Sequence, residues 1–228
     1  MAHRFLLFGV LLLLSSVAWG YPPKDQKKFL VRGNCPGCDL TAALVQKVQM
    51  EGVNLQGATL WRSYWVEVNF PQADFQGADL EESFCNDSSF SKARFSRAMM
   101  YRSYFKRVDL SDADLSFVVA QEVWMDESNL QGAQLNQALL YKARFTKADL
   151  REANLSGAIL VEADLLGADL RGANLKGAIL AGANLEKALL EGALLDGARW
   201  TDGFECQPGS VGQCIKEDFK LVWEPRQE

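Results

Sequence analysis

The chain has 228 residues, with 24 basic against 29 acidic side chains and a single histidine, His3. Mild acidity with Lys and Arg scattered along the sequence lacks the electrostatic footprint of a nucleic-acid binder. No nucleophile and base stand out as a pair, so no catalytic residue, cofactor motif or metal-ligand set is assigned.

Met1 to Gly20 reads as an export signal: Arg4 as the basic start, Phe5 to Leu14 as the apolar stretch, then Ser16, Ala18 and Gly20 as small residues for cleavage after Ala18 or Gly20. The apolar stretch is well short of the ~20 residues of a spanning helix. Nothing later in the chain is apolar enough to cross a membrane, so no membrane attachment is expected after cleavage.

Residues 21–34 predict a short helical cap. Tyr21-Pro22-Pro23 precede an amphipathic run in which Phe29 and Leu30 cover the start of the repeating region, and Gly33 stops the helix. Next comes Cys35-Pro36-Gly37-Cys38. Such a pair serves thiol redox catalysis when a thiolate sits at a helix N-terminus of a thioredoxin-like fold, and the sequence offers neither. A zinc site needs two further ligands, and the only histidine lies in the signal.

From Leu40 to Trp200 every fifth residue is a core position, nearly always a large apolar one; Val45, Cys85 and Ala120 are the unusual members. The residue two before each is Ala, Ser or Val from Ala43 onward, with Cys38 in that place before Leu40, and always Ala from Ala133 to Ala198. A five-residue step smears around a helix and alternates faces along a straight strand. A chain that turns one corner per five residues keeps both positions inside, and its coils can stack.

The number of sides follows from a longer period. Arg62, Glu82, Arg102, Glu122, Lys142 and Glu162 alternate in sign at intervals of twenty. Stacked rungs lie roughly 4.8 Å apart, so a twenty-residue coil makes these vertical neighbours of opposite charge. Glu67 over Asp87 is the exception. Four sides per coil is the better reading.

The runs Ala153-Asn154-Leu155-Ser156-Gly157, Ala168-Asp169-Leu170-Arg171-Gly172 and Ala173-Asn174-Leu175-Lys176-Gly177 resemble the A-(D/N)-L-x-G unit of pentapeptide-repeat proteins. The resemblance covers about three quarters of the chain. It implies an all-β fold, the right-handed quadrilateral parallel β-helix of that family, over residues 35–202. That length gives about eight coils and a rod on the order of 40 Å. The family shares no catalytic machinery, and some members mimic DNA and shield topoisomerases. The Cys35–Cys38 segment resembles the start of exported and lumenal cyanobacterial members, which favours a structural cap and implies the periplasm or the thylakoid lumen.

Residues 203–228 are expected to form a C-terminal cap or tail. Export favours oxidation, and a Gly- and Pro-rich loop can bring Cys206 to Cys214. A Cys35–Cys38 ring is shorter and more strained. Phe219, Leu221 and Trp223 could dock as a second lid. Within the rod, Cys85 is expected to be a buried free thiol. Ala120, between Met100 and Leu140, should leave a void unless its neighbours lean in.

The outward positions sort by side. Two sides are mostly polar, with columns such as Asn69, Ser89, Asp109 and Asn54, Asp74, Asp114. A third carries Met99, Val119, Leu139, Ile159 and Ile179 beside Tyr101 and Tyr141. The fourth carries Tyr64, Phe84, Tyr104 and Trp124 rung over rung. Like residues stacked on adjacent rungs stabilise a sheet by themselves, but contiguous exposed apolar surface also marks contact sites. The leading expectation is a non-enzymatic exported scaffold that meets an unknown protein, or a second copy of itself, through these columns. Thiol redox work at Cys35 and Cys38 is the alternative. A DNA mimic comes third, disfavoured by the export signal.

Overall fold

Five residues make one side of the coil, and the path of the backbone hydrogen bonds explains why. The computed structural model describes residues 24–217, so the export signal, Tyr21-Pro22-Pro23 and the Phe219, Leu221 and Trp223 lid lie outside it. At a representative unit, Leu55 N–H donates to the Asp74 carbonyl (2.7 Å) and Gly57 N–H to the Gln76 carbonyl (2.9 Å), both on the rung above. Asn54 N–H reaches down to the Gly33 carbonyl (3.1 Å), and Ala58 N–H closes the corner onto the Leu55 carbonyl (3.0 Å). One donor in five, that of Gln56, is left over, and the Asn54 side-chain oxygen accepts it at 3.0 Å. The same bond recurs at Asp74, Asp79, Asp109, Asn129, Asp149, Asn154, Asp169 and Asn174. Where a unit carries Asn or Asp at this position, its side chain thus supplies the acceptor that the coil itself lacks.

The result is a right-handed quadrilateral β-helix. Parallel bridges link each rung to the residue twenty further on, from Asn34↔Asn54 to Ile179↔Arg199. Strands β1 (Leu44–Gln46) and β2 (Tyr64–Val66) pair in the same register, Val45 with Trp65. The corner residue two after each core position from Leu40 to Leu195 has positive φ, as in the third position of a type II turn. Glycine is at ease there, yet Glu162 (φ 56°) and Lys142 (φ 55°) take the same conformation at a cost of about 1 kcal/mol each. Their long side chains find partners on the neighbouring rungs.

Every Leu from 130 to 180 on the five-residue register is fully buried, Leu155 and Leu175 included. The first half of the shaft is aromatic: Phe75 stacks on Phe95 (4.7 Å, 1°), and Trp65 meets Phe70 and Phe75 edge-on. The buried Trp65 indole N–H donates to Ser63 Oγ, which donates in turn to the Leu60 carbonyl.

The expected void at Ala120 has an answer the column alone did not reveal. Val118 and Val123 occupy the small positions on either side of Ala120, and all three are fully buried. Each Val adds two carbons over the usual Ala of that position, in the coil where Ala120 is short of them. The corner bonds stretch to 3.3 Å at Val118 and 3.4 Å at Val123, against 3.1 Å and 3.0 Å for Ala138 and Ala143 one rung above. At Val68 and Val108 no direct corner bond forms among the described residues. Ser88 Oγ accepts the Val68 N–H (3.1 Å) and donates to the Trp65 carbonyl (3.0 Å). Ser128 does the same for Val108 and Phe105.

At the N-terminal end, helix α1 (Gln26–Arg32) ends on Gly33, whose N–H returns to the Phe29 carbonyl. Phe29 is buried edge-on against Trp65 (5.6 Å) and Phe70 (6.1 Å), and Leu30 packs beside it. At the other end the coil stops at Arg199, and the chain doubles back antiparallel, pairing Arg199 with Glu205 and Leu194 with Val211.

Candidate functional site

The twenty-residue charge alternation forms a ladder on the corner between the two apolar sides. Arg62 pairs with Glu82 (2.7 Å), Arg102 with Glu122 (2.7 Å) and Lys142 with Glu162 (3.4 Å). The like-charged neighbours Glu67 and Asp87 turn apart, one to Lys47 (3.9 Å) and the other to Arg107 (2.6 Å). Hydrogen bonding to Arg107 holds the Asp87 carboxyl below its usual range, and Arg151 and Arg171 do the same for Asp149 and Asp169.

Tyr64, Phe84 and Tyr104 stack with their rings nearly parallel, centroids 4.9 Å and 4.6 Å apart. Trp124 tilts by 50° onto Tyr104, and the Arg144 guanidinium closes the column 4.2 Å over the Trp124 ring. Arg144 itself is anchored to the buried Asp126 (3.3 Å). Only the ends of this column, Tyr64 (44% exposed) and Trp124 (37%), present much surface. The rings mostly cover each other.

The aliphatic column stacks in register through Met99↔Val119, Val119↔Leu139, Leu139↔Ile159 and Ile159↔Ile179. Met99 is 39% exposed, and the other four are half-buried. Tyr101 and Tyr141 lie beside it with the cations of Arg102 and Lys142 at 4.9 Å and 5.0 Å from their rings. The two columns are therefore neighbours across a charged ridge, not one continuous sheet of apolar side chains.

The side with the aliphatic column has a second property. Met99, Val119, Leu139, Ile159 and Ile179 stand where other units carry Asn or Asp, so the leftover N–H groups of Tyr101, Gln121, Tyr141, Val161 and Ala181 have no acceptor among the described residues. One rung earlier, where Asp79 holds the position, the Glu81 N–H is satisfied at 3.0 Å. An apolar strip thus runs next to a row of donors repeating with the rungs.

Sequence reasoning missed Phe117. It is the one large apolar residue among the positive-φ corner positions (φ 56°), half exposed, two residues before Val119. A bulky side chain in that conformation is a genuine outlier. With Gln76, Gly77, Ser96, Arg97 and Ser116 it lines a shallow groove at the edge of the apolar side. The signal was legible: every other corner position from 42 to 197 is Gly, Ala or polar.

Cys35 and Cys38 are joined by a disulfide and occupy the first and last residues of one corner, Cα atoms 5.4 Å apart and both buried, with Cys38 N–H on the Cys35 carbonyl (3.2 Å). Lys28 Nζ stands 3.7 Å from Cys38 Sγ. Cys206 and Cys214 close the C-terminal loop with Cα atoms 5.0 Å apart. Cys85 is a buried free thiol beside Ser83, and burial pushes its pKa far up.

A stack of near-identical rungs carrying side-chain columns at fixed spacing defines a repeat solenoid built for display, the class of interaction scaffolds. The chain belongs to the pentapeptide repeat family, whose model matches residues 49–116 and 125–197 in eight copies. Among solved structures it is similar to QnrB1, a plasmid-mediated fluoroquinolone resistance protein, at 25% identity and a TM-score of 0.65 over 69% of this chain and 79% of that one. HetL of Nostoc sp., a protein involved in heterocyst differentiation regulation, matches at 27% identity and a TM-score of 0.36 over 75% of this chain and 78% of that one. A thylakoid-lumen protein of Arabidopsis thaliana matches at 31% identity and a TM-score of 0.39 over 40% of this chain and 63% of that one. No curated protein sequence matches the chain.

Proposed function

We propose that this protein is a non-enzymatic exported scaffold whose aliphatic side, from Met99 to Ile179 with Phe117 at its edge, docks on another protein. The observation that carries this reading is the pairing of an apolar strip with a row of backbone donors that have no acceptor among the described residues. A partner that supplies acceptors along the strip gains hydrogen bonds as well as buried apolar area. The aromatic column is the secondary part of the surface, since its rings already satisfy each other.

The test replaces Ile159 and Tyr104 by Ser, singly, and compares oligomeric state and affinity capture from the exported compartment, periplasm or thylakoid lumen. Loss of partner with Ile159→Ser supports the aliphatic side. If neither variant changes either readout while both stay folded, this reading is wrong.

A thiol redox role at Cys35 and Cys38 has one favouring observation, the Lys28 ammonium beside Cys38. Against it, both sulfurs are buried in a corner of the first coil. Likeness to QnrB1 raises the DNA-mimic reading. Here many carboxylates are paired with cations, as in Asp74–Arg94, Asp149–Arg151 and Asp169–Arg171, so these columns do not imitate a phosphate ladder.

A further inference from the structure

The side that carries the aliphatic column offers hydrogen-bond donors and no unpaired carbonyl. The N–H groups of Tyr101, Gln121, Tyr141, Val161 and Ala181 have no acceptor among the described residues, while the carbonyls of the same five all accept from the rung below, Tyr101 from Glu82 (2.9 Å) and Ala181 from Glu162 (3.0 Å) at the two ends. The carbonyls of the column from Met99 to Ile179 are taken in the same way. Charge is cancelled along the bordering corner, where Arg62, Arg102 and Lys142 pair with Glu82, Glu122 and Glu162. The same three cations lie over the rings of Trp61 (4.1 Å), Tyr101 (4.9 Å) and Tyr141 (5.0 Å). Aromatic rings thus stand on alternate rungs, about 9.6 Å apart along the rod, held by their cations before anything binds.

We propose that the occupant of this side is a proline-rich segment of the partner, in the polyproline II conformation and running along the rod axis. The inference rests on the docking role proposed above for the aliphatic side and names the chemistry of what docks there. First, proline has a carbonyl and no N–H, so such a chain brings acceptors without donors to a strip that holds the reverse. Second, the polyproline II helix turns once in three residues, about 9.3 Å, which is close to the two-rung spacing of the aromatic rings. Carbonyls that point the same way therefore meet every second amide, those of Tyr101, Tyr141 and Ala181. Third, an uncharged chain suits a border whose charges are cancelled, and its pyrrolidine rings pack on the tyrosines and the aliphatic column, the mode by which aromatic-lined surfaces take such peptides. Other conformations fit worse. A β-strand repeats along one edge every ~6.7 Å and brings N–H groups of its own, and an α-helix keeps its carbonyls for itself and repeats every ~5.4 Å. From Tyr101 to Ala181 is four rungs, about 19 Å, or two turns of the peptide. Toward Trp61 the strip crosses the carboxylates of Asp79 and Glu81, a level that a basic residue next to the prolines would match.

Titration of the isotope-labelled full chain with acetylated, amidated nonaproline, followed by amide chemical shifts, tests it. Saturable shifts are expected at Tyr101, Tyr141 and Ala181, with Tyr104 and Leu155 unmoved, and a Gly-Ser peptide of the same length should move none of them. The double variant Met99→Asn, Leu139→Asn restores the side-chain oxygen that other units carry, as Asn54 does for Gln56, so it keeps the fold while occupying the Tyr101 and Tyr141 amides. It should weaken nonaproline binding at least about tenfold. Tyr101→Ser with Tyr141→Ser should weaken it by a similar factor, and Tyr104→Ser should not. The absence of saturable shifts with nonaproline, equal shifts with the Gly-Ser peptide, or unchanged affinity in the Asn variant overturns the proposal. If nonaproline fails to bind while Ile159→Ser still loses the partner, the docking side stands and the chemistry assigned to its partner is wrong.

Discussion

Replacing Ala120 by Leu separates two pictures of the core by the sign of one measurement. If the small residue left a true void, filling it would stabilise the rod by up to about 1 kcal/mol per added methylene. The structure argues the opposite, because Val118 and Val123, larger than the usual Ala of those positions, flank Ala120 fully buried in the shaft. Extra carbons there must displace packed atoms, so Ala120→Leu is expected to destabilise by about 1–3 kcal/mol. The triple change Ala120→Leu, Val118→Ala, Val123→Ala conserves volume and restores Ala at both corners, so it should return most of that loss. The three residues lie within six positions of one another in the buried shaft, so the coupling should exceed about 0.5 kcal/mol. Urea unfolding followed by far-UV circular dichroism measures each step, with native-state exchange at Val118 and Val123 as a local check in case the array does not unfold in one transition. A rise in stability for Ala120→Leu alone refutes the compensation.

Ser88→Ala should cost roughly 1–3 kcal/mol, because the Val68 N–H and the Trp65 carbonyl lose their bridge inside the shaft; a change within error in thermal unfolding would mean water replaces it. Asp87, Asp149 and Asp169 titrate below their unfolded values, so the stability they lend is complete above the ordinary carboxylate range and is lost as pH falls through their depressed folded pKa values. The melting temperature should accordingly drop on acidification below about pH 4, and the Asp149→Asn variant should show a shallower drop. Thiol titration of the native protein should find no reactive group, and the denatured, unreduced protein one, Cys85. Two further thiols in the native state would revive the redox reading of Cys35 and Cys38.

The site was only partly legible before the fold was known. The columns Met99 to Ile179 and Tyr64 to Trp124 follow from register alone, and so does the charge ladder. Their unequal character does not. Whether stacked rings hide one another depends on how they tilt, and the separation of the columns by the Arg102–Glu122 corner depends on where the backbone turns. The unpaired Tyr101 and Tyr141 amides come into view only once every donor of a unit has been traced to its acceptor.

The fold itself was carried by the chain's own code. A large residue every fifth position, with Ala, Ser or Val two before it, leaves a single way to keep both dry, and the twenty-residue charge alternation chose four sides. Tertiary structure decided what depends on several rungs at once. The volume around Ala120 is set by Val118 and Val123 together. The Val68 corner is repaired by a serine from the rung above. Among the described residues, the doubled-back segment bonds only half of the last coil. Periodicity specifies each residue's direction, while packing between coils specifies how much room and how many partners it finds there.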